Sequence, residues 1–189
     1  MADSGTRKGV INGVDVDALF ATIEAVKADP AIAAFKFNTK NQWVMGGHNH
    51  ATVLNFYGAK EEHAHAAVFE ADADEPAVLL GTDKGPNPVE HLLIAVSGCV
   101  TSAIVYHSAA RGITLRGVSS RLEGDLDLRG FLGISPDVPV GYQEIRLYFT
   151  IDADLSREEK EALVQMGAKY SPVFNTISHA TPVKALLDK

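Results

Sequence analysis

At 189 residues the chain is long enough to bury a core and fits one domain, or one domain with an appendage. Its net charge of −7 argues against nucleic acid or an anionic membrane surface as a main partner, because both require a basic face. No apolar run approaches the roughly 20 residues needed to cross a bilayer. The single cysteine excludes an internal disulfide and suits a reducing compartment, so we expect a soluble, cytoplasmic protein.

The first third of the chain predicts a helix followed by strands. Apolar residues recur at helical spacing over residues 14–37, with Asp15 or Asp17 as the N-cap and Pro30 as the point where the helix splits or ends. Residues 42–58 predict two strands joined at Gly46 and Gly47, and residues 62–71 predict another strand. Residues 72–76 and 81–86 are typical of turns.

The clearest predicted element is a helix that begins after Asn87. Asn87 is a favoured N-cap, Pro88 suits the first helical position, and Glu90 stands where a capping box places a glutamate. The sequence stays almost wholly apolar or small to residue 110, and Gly112 supplies a C-cap. A helix that is apolar all round must be buried on all sides, so we predict a central core helix, shared with a partner subunit.

The last third predicts strands and helices in turn. We expect two strands, a Gly- and Pro-rich loop between them, an amphipathic helix capped by Asp154 or Ser156, and a tail with one helical turn and a final strand. These segments span residues 113–128 and 143–153 for the strands, 129–141 for the loop, 155–169 for the helix and 171–189 for the tail. The order of elements indicates a mixed α/β or α+β domain.

Cys99 lies in the middle of the apolar helix. No lysine or arginine stands within one turn of it, and the helix start is too far away for its dipole to act. Apolar surroundings keep a thiol protonated, so the local pattern is more typical of a small core residue than of a nucleophile. Glu90 leaves the opposite side of a straight helix, and its capping role explains it without catalysis.

Three segments nevertheless resemble the OsmC/Ohr-like family, the osmotically inducible protein C and organic hydroperoxide resistance proteins. Residues 85–93, followed by Ala95 and by Ser97-Gly98-Cys99, resemble that family's G-x-N/S-P-x-E-L-L-L-x-A-x-A-G-C segment. Residues 110–113 resemble the end of its helix and the following strand, and residues 171–177 resemble its C-P-V-S-N-T-L segment. The resemblance runs in order over residues 74–189.

The resemblance implies an α+β fold built as an intertwined homodimer. In this family, antiparallel sheets wrap around central helices that carry the cysteine. Such a dimer would cover an apolar helix that one short chain struggles to bury. Residues 1–40 would then be an N-terminal helical extension, and residues 41–189 the OsmC-like domain.

The resemblance also implies a hydroperoxide reductase. Cys99 takes the position of the thiolate that attacks the peroxide, and Glu90 is the nearest match to the glutamate that tunes it. In the better-known peroxidases of the family that glutamate lies one residue earlier, at the position that Val89 occupies here. Ser171 stands where the family has its resolving cysteine. The chain therefore predicts a one-cysteine enzyme that needs an external thiol and no bound cofactor.

The family's early-strand arginine is missing as well, because Arg7 is the only arginine before Arg111. A cation beside the thiol would have to come from elsewhere, with Arg129 and Arg121 as candidates. These losses motivate an alternative, a non-catalytic protein that binds a small apolar ligand on the same scaffold.

The histidines form a rival site. If two strands were hairpin partners, four imidazoles could converge on a metal ion, although exposed polar faces explain these residues more simply; the four are His48, His50, His63 and His65. His91 and His107 lie about two turns on either side of Cys99 and are candidates to assist a thiolate, although core or cap histidines are commoner.

Overall fold

The computed structural model describes residues 9–188, which form two compact units. One unit holds Asp15–Leu92, and the other holds Val10–Val14 together with the chain from Leu93 onward. The strands β1 (Val10–Ile11) and β2 (Val14–Asp15) form a hairpin whose turn residues, Asn12 and Gly13, both have positive φ.

The first unit opens with α1 (Val16–Ala28), which confirms the predicted N-terminal helix. The Asp15 carboxylate caps it by accepting the Ala18 N–H at 2.9 Å. A short 3₁₀ helix (Pro30–Ala33) follows, so the helix ends before Pro30 as predicted.

Five strands complete the first unit. β3 (Thr39–Met45), β4 (His48–Val53) and β7 (Glu70–Ala73) form an antiparallel sheet in the order β3-β4-β7, and β5 (Phe56–Gly58) pairs with β6 (Glu61–His63). The predicted turn at Gly46 is confirmed, with φ of 58°. The single strand predicted over residues 62–71 is wrong. β6 and β7 pair with different partners, and the residues between them are not in a strand.

The second unit is built on α2 (Pro88–Ala110), whose first residues lie in the first unit. β8 (Gly117–Asp125) and β9 (Glu144–Asp152) form an antiparallel hairpin in register from Gly117↔Asp152 to Asp125↔Glu144. α4 (Arg157–Tyr170) and α5 (Pro172–Ser178) follow. Of the two predicted N-caps, Asp154 and Ser156, the structure has Ser156, which forms a complete capping box at the start of α4.

Three predictions for this unit are wrong in detail. The strand expected over residues 113–128 is confined to β8, since its end enters a short helix, α3 (Leu128–Phe131), inside the predicted loop. Gly130 allows that helix, because an added Cβ would lie 2.3 Å from the Pro139 carbonyl oxygen. The final strand is absent: residues 179–188 follow α5 without regular structure.

One stripe of α2 forms the core of the second unit. Val96, Val100 and Ile104 are fully buried, and α4 approaches them at Gly167, whose added Cβ would lie 2.4 Å from Ile104 Cγ1. This close approach fixes α4 against α2.

Another stripe of α2 is open to solvent in the single chain, so one chain alone does not bury the helix on all sides. Its residues recur at helical spacing and are mostly apolar or small: Ile94, Ala95, Gly98, Ser102 and Tyr106. Only 28% of the most apolar stretch of α2 is buried. By length and composition α2 could cross a membrane, which corrects the expectation that no run is long enough.

Candidate functional site

The start of α2 confirms Asn87 as the N-cap and Glu90 as its partner, but the Asn87 side chain accepts the N–H of Val89 and not that of Glu90, so the capping box is partly formed. The Val89 N–H donates to Asn87 Oδ1 at 2.9 Å, and the Asn87 N–H donates to Glu90 Oε2 at 2.8 Å. Glu90 thus satisfies a backbone donor that the helix leaves free. Its carboxylate is committed to the helix cap in the first unit.

Cys99 lies on the flank of α2 in the second unit, between the buried and the open stripes. Its thiol is free and half-buried. Within residues 9–188, Sγ has no hydrogen-bonding or ionic partner. Cys99 is therefore neither fully buried nor committed to another polar group.

His107, two turns further along α2, stacks on Tyr170 with the ring centroids 4.3 Å apart. Burial, and then the positive charge of Arg111, lowers the pKa of His107 below its ordinary value. The imidazole is therefore neutral near pH 7 and is able to accept a proton.

Ser171 has a structural task that the sequence analysis missed. It is fully buried, and its hydroxyl accepts the Phe174 N–H at 3.1 Å as the N-cap of α5. The signal was present, because Pro172 follows it at the first helical position. A hydroxyl at this position stabilises a helix start.

The candidate cations are engaged in ion pairs. Arg129 Nε lies 3.0 Å from both carboxylate oxygens of Asp127, and this contact lowers the pKa of Asp127 to about 2. Arg121 pairs with Glu123 and stacks over the Tyr148 ring, 4.2 Å from its centroid. Among the residues described, neither arginine forms a hydrogen bond or an ion pair with Cys99.

The histidine pairs lie on different sheets of the first unit. β4, which carries His48 and His50, pairs with β3 and β7, while His63 on β6 pairs with Phe56 on β5. The hairpin on which a four-histidine metal site depended is therefore not formed. Residues 9–188 hold no group of three or more His, Cys, Asp or Glu suited to a metal ion.

His48 and His50 instead converge on Asp72. His48 Nε2 lies 2.8 Å and His50 Nδ1 lies 3.1 Å from the same carboxylate oxygen, and His50 Nε2 lies 3.5 Å from Glu70 Oε1. These contacts raise the pKa of His50, chiefly through Asp72, and lower the pKa of Asp72. Asp72 was not predicted as a site residue because residues 72–76 are typical of a turn, whereas Asp72 lies in β7.

His91 also contacts Asp72, through a 3.0 Å hydrogen bond between Nε2 and the backbone carbonyl. This bond ties the first turn of α2 to β7 within the first unit. The His91 imidazole is therefore held by a hydrogen bond that serves the fold. His63 stacks on Phe56 with the ring centroids 5.1 Å apart, and His65 packs against the same ring in a tilted arrangement at 5.2 Å.

The family comparison agrees with this architecture. The model of the OsmC-like protein family matches residues 81–185, which is more than half of the chain and includes α2 with Cys99. No curated protein gives a significant match.

Solved structures with the same fold come from several bacteria. An OsmC like protein from Mycoplasma pneumoniae is 19% identical, with 76% of this chain and 87% of that chain covered and a TM-score of 0.57. An organic hydroperoxide resistance protein OsmC from Legionella pneumophila is 23% identical, with 77% and 90% covered and a TM-score of 0.57.

A third similar structure is an organic hydroperoxide resistance protein from Elizabethkingia anophelis. It is 17% identical, with 76% of this chain and 88% of that chain covered and a TM-score of 0.53. At these identities the three structures establish a shared fold. Together with the family match, they show that this chain belongs to the OsmC-like protein family.

Proposed function

We propose that the protein is a one-cysteine, thiol-dependent reductase of organic hydroperoxides, with Cys99 as the peroxidatic residue. The observation that carries the proposal is the chain's only cysteine, free and half-buried on α2 within the family segment. Two proteins of the same fold are named for organic hydroperoxide resistance.

The reaction would proceed in two stages. The Cys99 thiolate attacks one peroxide oxygen, the O–O bond breaks, and the departing alkoxide takes up a proton to give the alcohol. Cys99 is left as a sulfenic acid. An external thiol then condenses with it, releasing water and forming a mixed disulfide. A second external thiol attacks that disulfide and restores the Cys99 thiol.

The external thiol is required because the chain has a single cysteine and Ser171 cannot form a disulfide. We place His107 as the group that receives the proton of the Cys99 thiol, from the partner subunit of a dimer. Glu90 and Arg129 are engaged in a helix cap and an ion pair, and both stay secondary candidates. His91 is held by Asp72.

The open stripe of α2 supports a homodimer. A row of apolar and small residues exposed on a central helix favours close packing against another helix, and a second copy provides one. We propose the intertwined dimer of the family, with residues 41–189 as the domain and residues 1–40 as an extension.

The family is soluble, and a core helix passes the same length test as a membrane span. We place the protein in the cytoplasm.

Consumption of cumene hydroperoxide by the purified protein tests the proposal. With dithiothreitol or dihydrolipoamide as reductant, the protein should consume the peroxide catalytically, and Cys99→Ser should abolish turnover. Ser97→Ala, on the same helix, is the matched control and should retain it. Equal peroxide loss with the parent protein and with Cys99→Ser would overturn the proposal.

A second candidate is a non-catalytic protein that binds a small apolar ligand. It is favoured by the absence of a polar partner for Cys99 among the described residues. Native mass spectrometry of the purified protein distinguishes the two functions. A stoichiometric apolar ligand together with an unreactive thiol would support binding, whereas an empty protein that reduces peroxide would support catalysis.

A further inference from the structure

A groove of about 500 Å³ runs along α4 in the second unit, and it does not include Cys99. Its apolar lining comes from Ile113, Leu155, Met166 and Tyr170. Its volume lies within the range of small-molecule sites, about 300–1,000 Å³. The lining suits an aliphatic chain.

Two cations, Arg111 and Lys169, line the same groove. Arg111 stands just after the end of α2, where Nη1 donates to the His107 carbonyl oxygen at 2.9 Å. This bond uses one of the five guanidinium N–H donors and holds the side chain against the helix end. The remaining donors are available to a ligand.

Arg111 differs from the other arginines of the described chain. The structure places a carboxylate within ion-pair distance of five of the six; these five are Arg116, Arg121, Arg129, Arg146 and Arg157. Within residues 9–188, Arg111 and Lys169 lack such a carboxylate partner. Lys169 Nζ lies over the Tyr170 ring, 5.4 Å from its centroid, and so stays at the groove. On a chain with a net charge of −7, two cations without a carboxylate partner beside an apolar groove form a local site for an anion.

We propose that this groove binds a single-chain carboxylate amphiphile of the fatty-acid class. The acyl chain would lie on Ile113 and Met166, and the carboxylate would bind the guanidinium of Arg111, whose planar fork matches its two oxygens. Lys169 adds a second positive charge. A monoanionic head is favoured over a dianionic phosphate, because the whole chain is acidic and Glu159 also lines the groove.

Calorimetric titration with decanoate tests this site. The Cys99→Ser protein should bind decanoate at one site per chain with unchanged affinity, which separates the groove from the proposed peroxidase. Arg111→Gln should weaken binding about tenfold, the loss expected for one charge-assisted contact. Met166→Asp should abolish binding, because it places a carboxylate among the apolar residues of the groove.

Two controls make the test decisive. Arg116→Gln removes an arginine that pairs with Asp152 and does not line the groove, and it should leave the affinity unchanged. 1-Decanol has the same chain without the charge and should bind at least tenfold more weakly than decanoate. The proposal is overturned if decanoate does not bind, if decanol binds equally well, or if folded Arg111→Gln retains full affinity.

Discussion

At the scale of single residues, the chain uses a serine hydroxyl where the family resemblance places a second thiol. Ser171 is buried and caps α5, so the position serves the fold. Its capping role could be inferred from the sequence, since Ser-Pro at a helix start is a local signal. The role of Asp72 could not be inferred, because its partners His48 and His50 lie 24 and 22 residues away and strand pairing brings them together.

Ser171→Ala should lower stability by about 1 kcal/mol, because the Phe174 N–H loses its acceptor. For a chain of this length that corresponds to a fall of about 2–4 °C in Tm. Thermal unfolding followed by circular dichroism measures it. Ser119→Ala, an exposed change on β8, should shift Tm by much less, and equal shifts in the two variants would contradict the capping role.

The cluster of His48, His50 and Asp72 should make stability depend on pH. The folded-state pKa of His50 is raised, so its contribution is fully present below about 6.5, the pKa of unfolded histidine, and is lost as pH rises through the folded-state pKa. The contribution of His50 to Tm should therefore fall as pH rises from about 6 to 8. The difference in Tm between the parent protein and His50→Gln should therefore shrink over this range, whereas His179→Gln, in the C-terminal tail, should follow the parent protein at every pH. A difference in Tm between the parent protein and His50→Gln that does not change with pH would count against the cluster.

At the scale of elements, local signals placed the helices better than the strands. Asp15, Asn87 and Ser156 each cap a helix where the sequence indicated, because capping is a contact between neighbours in the chain. Strand limits depend on pairing with distant segments, so residues 62–71 were assigned to one strand instead of two. α3 was missed because Gly130 packs against Pro139, a tertiary contact.

The contact between α2 and α4 should be intolerant of added volume. Gly167→Ala places a methyl group 2.4 Å from Ile104 Cγ1 and 3.1 Å from the Val100 carbonyl oxygen, so the helices must separate. We expect a loss of about 1–3 kcal/mol, the usual cost of overpacking. Chemical denaturation gives the value. Gln165→Ala on the exposed side of α4 is the control, and a Gly167→Ala protein as stable as that control would refute the close contact.

At the scale of the whole molecule, the open stripe on α2 is the feature that a single chain leaves unexplained. The helix is apolar all round, as its sequence indicates, but a single chain buries only one side of it. The proposed second copy would cover the rest, and both the apolar pattern of α2 and the family resemblance predict it.

Ile94→Glu should weaken self-association, because it places a charge on the stripe that a second copy would bury. Light scattering after size-exclusion chromatography should show a dimer for the parent protein and a shift toward monomer for the variant. Leu187→Glu adds the same charge to an almost fully exposed residue of the tail and should stay dimeric. A monomeric parent protein at micromolar concentration would contradict the dimer.

The most direct test of the central claim is to trap the oxidised form of Cys99. The folded protein is treated with one equivalent of cumene hydroperoxide in the presence of dimedone, and the adduct is located by mass spectrometry. We predict rapid, stoichiometric addition at Cys99, which means that peroxide has converted the thiol to a sulfenic acid. A thiol that stays unmodified until the protein is unfolded would contradict the peroxidase and leave the protein as a binder of apolar ligands.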